Sequence, residues 1–201
     1  EHGYPGEWLH VYNVCNDTKK DDVRAKLGIG NPITFRYSVE AYWVKDADAV
    51  FQEEYEDKKT GEKKVREKKD NTNCHMVIVA RTYNAMRKLN YILSCAHDTG
   101  FYYKPRIDLK SLFTLNKDEV YITSACIAGW KYEDATEVWL KIWQHFGDSF
   151  FLEYQTHNTP EQKALNKKIY EISKTFGIQT IIGLDTHYIN EEDRIKRENL
   201  L

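Results

Sequence analysis

Apolar and polar positions change period several times along the chain, and each change marks an element. Residues 33–44 (ITFRYSVEAYWV) are β-branched and aromatic, which predicts a strand with Glu40 inside it. Residues 52–73 (QEEYEDKKTGEKKVREKKDNTN) are nearly all polar around a Thr60-Gly61 turn, the pattern of a solvated hairpin or mobile loop. A strand at 75–80 (HMVIVA) follows, then a helix over about 82–97 with Met86, Leu89, Leu93 and Ala96 at helical spacing. Residues 100–106 (GFYYKPR) contain Pro105 and read as a loop. A short strand over 119–123 ends in Ser124-Ala125-Cys126, a helix covers about 133–146, and a strand spans 149–155 (SFFLEYQ). Thr159-Pro160-Glu161 sets an N-cap and a first-turn proline for a long helix, which Phe176-Gly177 stops. The last strand, 178–184 (IQTIIGL), runs into Asp185-Thr186-His187.

Repeated strand-then-helix order specifies an α/β protein with parallel strands and outer helices, either a barrel or an open doubly wound sheet. In both, functional side chains collect at the carboxyl ends of the strands. At 201 residues the chain suits one domain spanning 1–201, with the segment at about 52–73 as a charged insert.

Composition narrows the function classes. The chain is 41% apolar, 13% aromatic and 30% charged, with no apolar run long enough to cross a bilayer. A net charge of -2 argues against a domain whose main task is non-specific DNA binding. It leaves open a phosphodiester substrate held through metal ions, which bring their own positive charge. The four cysteines (Cys15, Cys74, Cys95, Cys126) have wide, irregular spacing, which points to a reducing cytoplasm. The opening Glu1-His2-Gly3 lacks an initiating Met and a signal peptide, as in a piece of a longer protein.

Glu40, Cys126, Asp185 and His187 fall late in a strand or just after one, and His75 opens a strand. His2 lies beside Gly3 and Gly6. Imidazole, carboxylate and thiolate are the ligands of transition metals. Asp185 and His187 are alternate residues, so on a strand both would point at one metal. Glu153 and Gln155, at a strand end, are candidates to support the ligands from behind. Trp130, Trp139 and Trp143 read as packing residues. His10, His97, His145 and His157 match no ligand pattern.

With these residues in view, the chain resembles the PHP (polymerase and histidinol phosphatase) domain of bacterial DNA polymerase III alpha chains. Glu1-His2-Gly3 resembles the family's Asp/Glu-His-Gly motif, and Ser38-Val39-Glu40-Ala41-Tyr42 its strand with a metal-binding Glu. His75-Met76-Val77-Ile78-Val79-Ala80-Arg81 resembles the strand opened by a metal-binding His. Residues 100–108 (GFYYKPRID) and Ser124-Ala125-Cys126-Ile127-Ala128-Gly129 are similar to stretches of the replicative polymerase branch. Asp185-Thr186-His187-Tyr188 matches the closing Asp-x-His-Tyr.

The resemblance implies a distorted (β/α)7-type PHP barrel and a metal-dependent phosphoesterase, including 3′-to-5′ exonuclease activity in proofreading. Its metal ligands here would be His2, Glu40, His75, Cys126, Asp185 and His187. They would hold zinc, manganese or iron, up to three ions in the family. Lys104 and Arg106 would add phosphate-binding charge at the rim. The family's first strand, with its His-x-His ligands, lies upstream of the motif at which this chain starts. The expected barrel therefore lacks its first strand, and the expected metal load is smaller. Expected partners are DNA, reached through the parent polymerase, and other replicase subunits, in the cytoplasm and away from membranes. Two other roles stay open: a non-catalytic domain that stabilises the polymerase or docks a proofreading subunit, and a stand-alone PHP phosphatase.

Overall fold

The computed structural model describes residues 7–199, so His2 lies outside the described residues. Two helices come first, α1 (Trp8–Asp17) and α2 (Asp21–Leu27), followed by strand β1 (Ser38–Val44). The charged insert is a two-stranded hairpin of β2 (Val50–Glu56) and β3 (Lys63–Lys69). Gly61 turns it with φ +70°, and its opposite charges meet across the strands: Glu53 pairs with Lys68 at 2.7 Å and with Arg66 at 2.5 Å. Strand β4 (Cys74–Ala80) and helix α3 (Tyr83–Asp98) come next, with Thr82 capping the helix by accepting from the Ala85 N–H.

The segment 100–106, expected as a loop, contains strands instead: β5 (Phe101–Tyr102) and β6 (Lys104–Asp108), joined at Tyr103. Pro105 is tolerated because the ladder between β6 and β1 begins one residue later, at Arg106 opposite Tyr42. After the short helix α4 (Leu109–Leu112), the chain runs through β7 (Val120–Thr123), α5 (Ala135–Phe146), β8 (Phe150–Gln155), α6 (Pro160–Phe176), β9 (Thr180–Gly183) and α7 (Glu191–Glu198). The Thr159 cap and the left-handed Gly177 stop of α6 are both present.

Apart from the β2–β3 hairpin, the described strands form one sheet in the order β5-β6-β1-β4-β7-β8-β9. Pairings along β6, β1, β7, β8 and β9 put five strands in one direction, while β5 and β4 run against them. This corrects the all-parallel expectation. Parallel neighbours need a crossover helix, and β1 reaches β4 through a hairpin. The expected barrel also does not close among the described residues: the sheet is open, with β5 and β9 at its edges. On β9, Ile181 and Ile182 remain 45% and 68% exposed.

Side-chain alternation divides the sheet into two faces. Val39, Ala41, Trp43, Met76, Ile78, Ile122, Phe150 and Leu152 join buried residues of α3, α5 and α6 in one continuous core. Trp139 of α5 anchors it, edge-on to Trp43 at 5.3 Å and stacked on Phe150 at 5.7 Å. The other face carries Glu40, Tyr42, His75, Thr123, Glu153 and Gln155. No described helix is long and apolar enough to cross a membrane.

Candidate metal centre

The open face gathers chemistry because β4 is reversed. His75, near the start of β4, pairs with Tyr42 of β1, which places it diagonally beside Glu40, the partner of Val77. Thr123, at the end of β7, is also level with Val77, and the three residues beyond it bring Cys126 to the same place.

The result is a three-donor group. His75 Nδ1 lies 3.1 Å from Glu40 Oε1 and 3.4 Å from Cys126 Sγ, and Sγ is 3.8 Å from the same carboxylate oxygen. All three side chains are largely shielded, at 16%, 14% and 8% exposure for His75, Glu40 and Cys126. Burial pushes the Cys126 thiol up to about 11, and the carboxylates of Glu40 and Asp185 push in the same direction.

The donor set fits a divalent transition metal. Zinc bonds of about 2.0–2.3 Å at tetrahedral angles separate neighbouring donors by about 3.3–3.6 Å. The observed spacings of 3.1, 3.4 and 3.8 Å lie around that range. A bound cation would also favour the thiolate that burial now disfavours.

Backbone geometry holds the three donors. Trp43 Nε1 donates to the His75 carbonyl at 3.0 Å, and the Tyr42 ring meets the imidazole edge-on at 5.3 Å. Gly129 lets the 3-10 turn after Cys126 press against both strands. A Cβ there would lie 2.3 Å from the Ser124 carbonyl oxygen and 2.9 Å from that of His75.

Asp185 and His187 arrive differently from the expectation. Strand β9 ends at Gly183, so the two residues sit in an irregular segment where strand alternation does not apply. Asp185 takes φ +47°, and His187 Nδ1 lies 2.7 Å from the Asp185 carbonyl oxygen and 3.6 Å from its carboxylate. Asp185 is within electrostatic reach of Cys126, but neither Asp185 nor His187 belongs to the three-donor group.

The two rim candidates separate. Lys104 is exposed, with Nζ 5.3 Å from the centre of the Tyr42 ring. Arg106 is 1% exposed, and its guanidinium donates to the carbonyls of Gly100 at 2.9 Å, Asp70 at 2.7 Å and Ala47 at 3.0 Å. That burial corrects the expectation of a phosphate ligand at the rim: Arg106 ties three chain segments together. Tyr42, Thr123 and Gly129 belong to the site's framework and were not singled out from the sequence. A glycine three residues after Cys126 was the available signal for the tight turn.

The chain matches the PHP domain family over residues 1–157 and belongs to that family. Within it, the chain is similar to DNA polymerase III alpha subunits. It is 35% identical to that of Aquifex aeolicus over 133 residues, covering 62% of this chain and 11% of the relative. The Borreliella burgdorferi subunit is 32% identical over 127 residues (59% and 11%), and that of Chlamydia trachomatis 27% over 168 residues (69% and 13%). The chain thus spans only 11–13% of the length of these three relatives.

Proposed function

We propose that this PHP domain is a metal-dependent phosphoesterase of a replicative DNA polymerase alpha chain, cleaving DNA as a 3′-to-5′ exonuclease. The observation that carries the reading is the largely shielded Glu40–His75–Cys126 group, whose donor types and spacing suit zinc, manganese or iron. In this reading Asp185 and His187 supply further ligands from the adjoining segment; His2, outside the described residues, is a further candidate ligand by its motif alone. The open sheet is an arc of the distorted barrel. The working partners are DNA and other replicase subunits in the cytoplasm.

A bound divalent metal supplies Lewis acidity toward a phosphoryl oxygen. The protein's own groups do the rest. Glu40, His75 and Cys126 present preset donors from a shielded face. The Tyr42 ring walls the imidazole on one side, and Lys104, stacked over that ring, offers a cation to an incoming phosphate.

A second reading has support in the position of Asp185 and His187 outside the three-donor group. A site built from three ligands would hold one structural ion and stabilise the polymerase without cleaving DNA. Elemental analysis of the purified chain and of Cys126→Ser, followed by manganese-dependent cleavage of 3′-labelled single-stranded DNA, separates the two. Metal plus cleavage, both lost in His75→Ala, supports the phosphoesterase. Metal without cleavage supports the structural role, and a chain with metal no higher than background refutes both.

A further inference from the structure

Cys126 reaches the site on strained backbone. Ala125, the residue before it, takes φ +51°, a conformation that side-chain-bearing residues rarely adopt. Such a conformation persists only where its surroundings enforce it. Here the Thr123 hydroxyl oxygen accepts the Ala125 N–H at 3.1 Å, a side-chain turn that bends the chain directly before the cysteine.

A hydroxyl has one hydrogen, and its direction decides which lone pairs remain available to accept. That hydrogen is committed: Thr123 Oγ1 donates to Glu153 Oε2 at 2.5 Å. The other carboxylate oxygen, Oε1, accepts from Gln155 Nε2 at 3.1 Å. The Glu153 backbone N–H donates to Ser124 Oγ at 2.9 Å, so β8 grips this turn twice. Every member is buried, with Thr123 at 7%, Ser124 at 0%, Glu153 at 8% and Gln155 at 2% exposure.

Gly183 makes room for the carboxylate. A Cβ at that position would overlap Glu153 Oε1 at 1.8 Å. A buried carboxylate is costly unless it is well bonded, and one that accepts from two fixed donors holds both in a single orientation.

We propose that Glu153 is a positioning residue for Cys126. Through Thr123 it sets the left-handed turn at Ala125 and so holds the thiol against His75 and Glu40. The metal-related part of this proposal rests on the metal-site reading above; the geometric part does not. The carboxylate is required because both of its oxygens accept. A glutamine at 153 keeps the shape but sets an amide N–H₂ against either the Thr123 hydroxyl or the Gln155 amide.

Two measurements test it, on Glu153→Gln, Thr123→Val, Thr123→Ser and Cys126→Ser, with circular dichroism to confirm folding. The first is cobalt(II) titration, followed by the thiolate-to-metal charge-transfer absorption that only a ligating cysteine produces. Glu153→Gln and Thr123→Val are expected to weaken cobalt binding about 10–100-fold and to diminish that band. Thr123→Ser, which keeps the hydroxyl, should stay close to the parent.

The second needs no metal: the rate of Cys126 alkylation by iodoacetamide, read by mass spectrometry. It should rise at least several-fold in Glu153→Gln and Thr123→Val, and not in Thr123→Ser. If the parent gives no thiolate band, the metal reading fails and the alkylation rates alone decide the positioning role. If both variants alkylate like the parent, the proposal is overturned, whatever cobalt does. A variant that does not fold is set aside, and the other decides.

Discussion

Replacing Arg106 with lysine separates a structural clamp from a phosphate ligand, because the substitution keeps the charge and discards the fork. Arg106 is 1% exposed and bonds three carbonyls that belong to separate segments: Ala47 after β1, Asp70 before β4 and Gly100 after α3. Burial pulls its pKa below the ordinary arginine value, opposed by the Asp70 carboxylate. A lysine ammonium on the same backbone reaches one of these carbonyls and leaves the other two without a donor. At about 1–3 kcal/mol for each of the two acceptors left unpaired, the loss is about 2–6 kcal/mol. That is a large share of the about 5–15 kcal/mol by which a domain is stable.

Urea unfolding followed by tryptophan fluorescence reads this directly. For a domain of this size, with a slope of about 2–3 kcal/mol per molar urea, the midpoint of Arg106→Lys should fall by about 1–3 M at unchanged slope. Cleavage or binding of DNA by the folded fraction should be affected far less than stability. The reasoning is refuted if Arg106→Lys unfolds within about 0.5 kcal/mol of the parent while its affinity for DNA drops. Arg106 would then act on phosphate, as the sequence suggested.

Gly129→Ala places a Cβ 2.3 Å from the Ser124 carbonyl oxygen, so the turn after Cys126 must shift. A stability loss of about 1–3 kcal/mol is expected, with weaker cobalt binding, and an unchanged urea midpoint would contradict the close approach. Tyr132→Phe tests the half-buried pair with Asp70. Burial pushes Asp70 up, yet hydrogen bonds from Thr72 and Tyr132 hold it below its ordinary 3.8. Its folded-state pKa is depressed, so its stabilisation is present above about pH 4 and is lost as pH falls through the folded value. Burial and Asp70 raise the Tyr132 pKa, so that hydroxyl's share is complete below its unfolded pKa of about 10 and is lost as pH rises beyond it. The stability gap between parent and Tyr132→Phe should be widest near neutral pH and narrow toward pH 3; a constant gap from pH 7 to 3 would count against the pairing.

The parts of the fold legible in the sequence were those with local causes. Helix α6 was readable because Thr159, Pro160 and Gly177 act on their own neighbours, and α3 because its buried residues recur at helical spacing. The first two helices were not readable. In α1, Trp8, Val11, Tyr12 and Cys15 recur at helical spacing, but Leu9 and Val14 break the polar face and Leu9, Val11, Tyr12 and Val14 are all exposed, which blurs the stripe. Strand β6 is hidden by Pro105, a sound loop signal that fails because Pro105 pairs only with Phe101 of the edge strand β5 and precedes the ladder to β1. The setting of Arg106 is not legible locally, because Ala47 and Asp70, which it bonds, lie 59 and 36 residues away. No local pattern distinguishes a guanidinium at a rim from one folded inward.

His75 is the instructive case, since it opens its strand while the other candidates close theirs or follow them. In an all-parallel sheet it would stand at the opposite end from Cys126, and no three-donor group could form. The polar segment 52–73 resolves the conflict. A parallel return needs a crossover of a dozen or more residues, usually a helix, and this segment has no apolar stripe to pack one. It pairs with itself as β2 and β3, and the chain re-enters the sheet at the end it left. The next strand must then run backwards, which puts its first residues beside the last residues of β1 and level with the turn that follows β7. The charged insert, which carries no ligand, is thus what turns β4 over and brings His75 to Glu40 and Cys126.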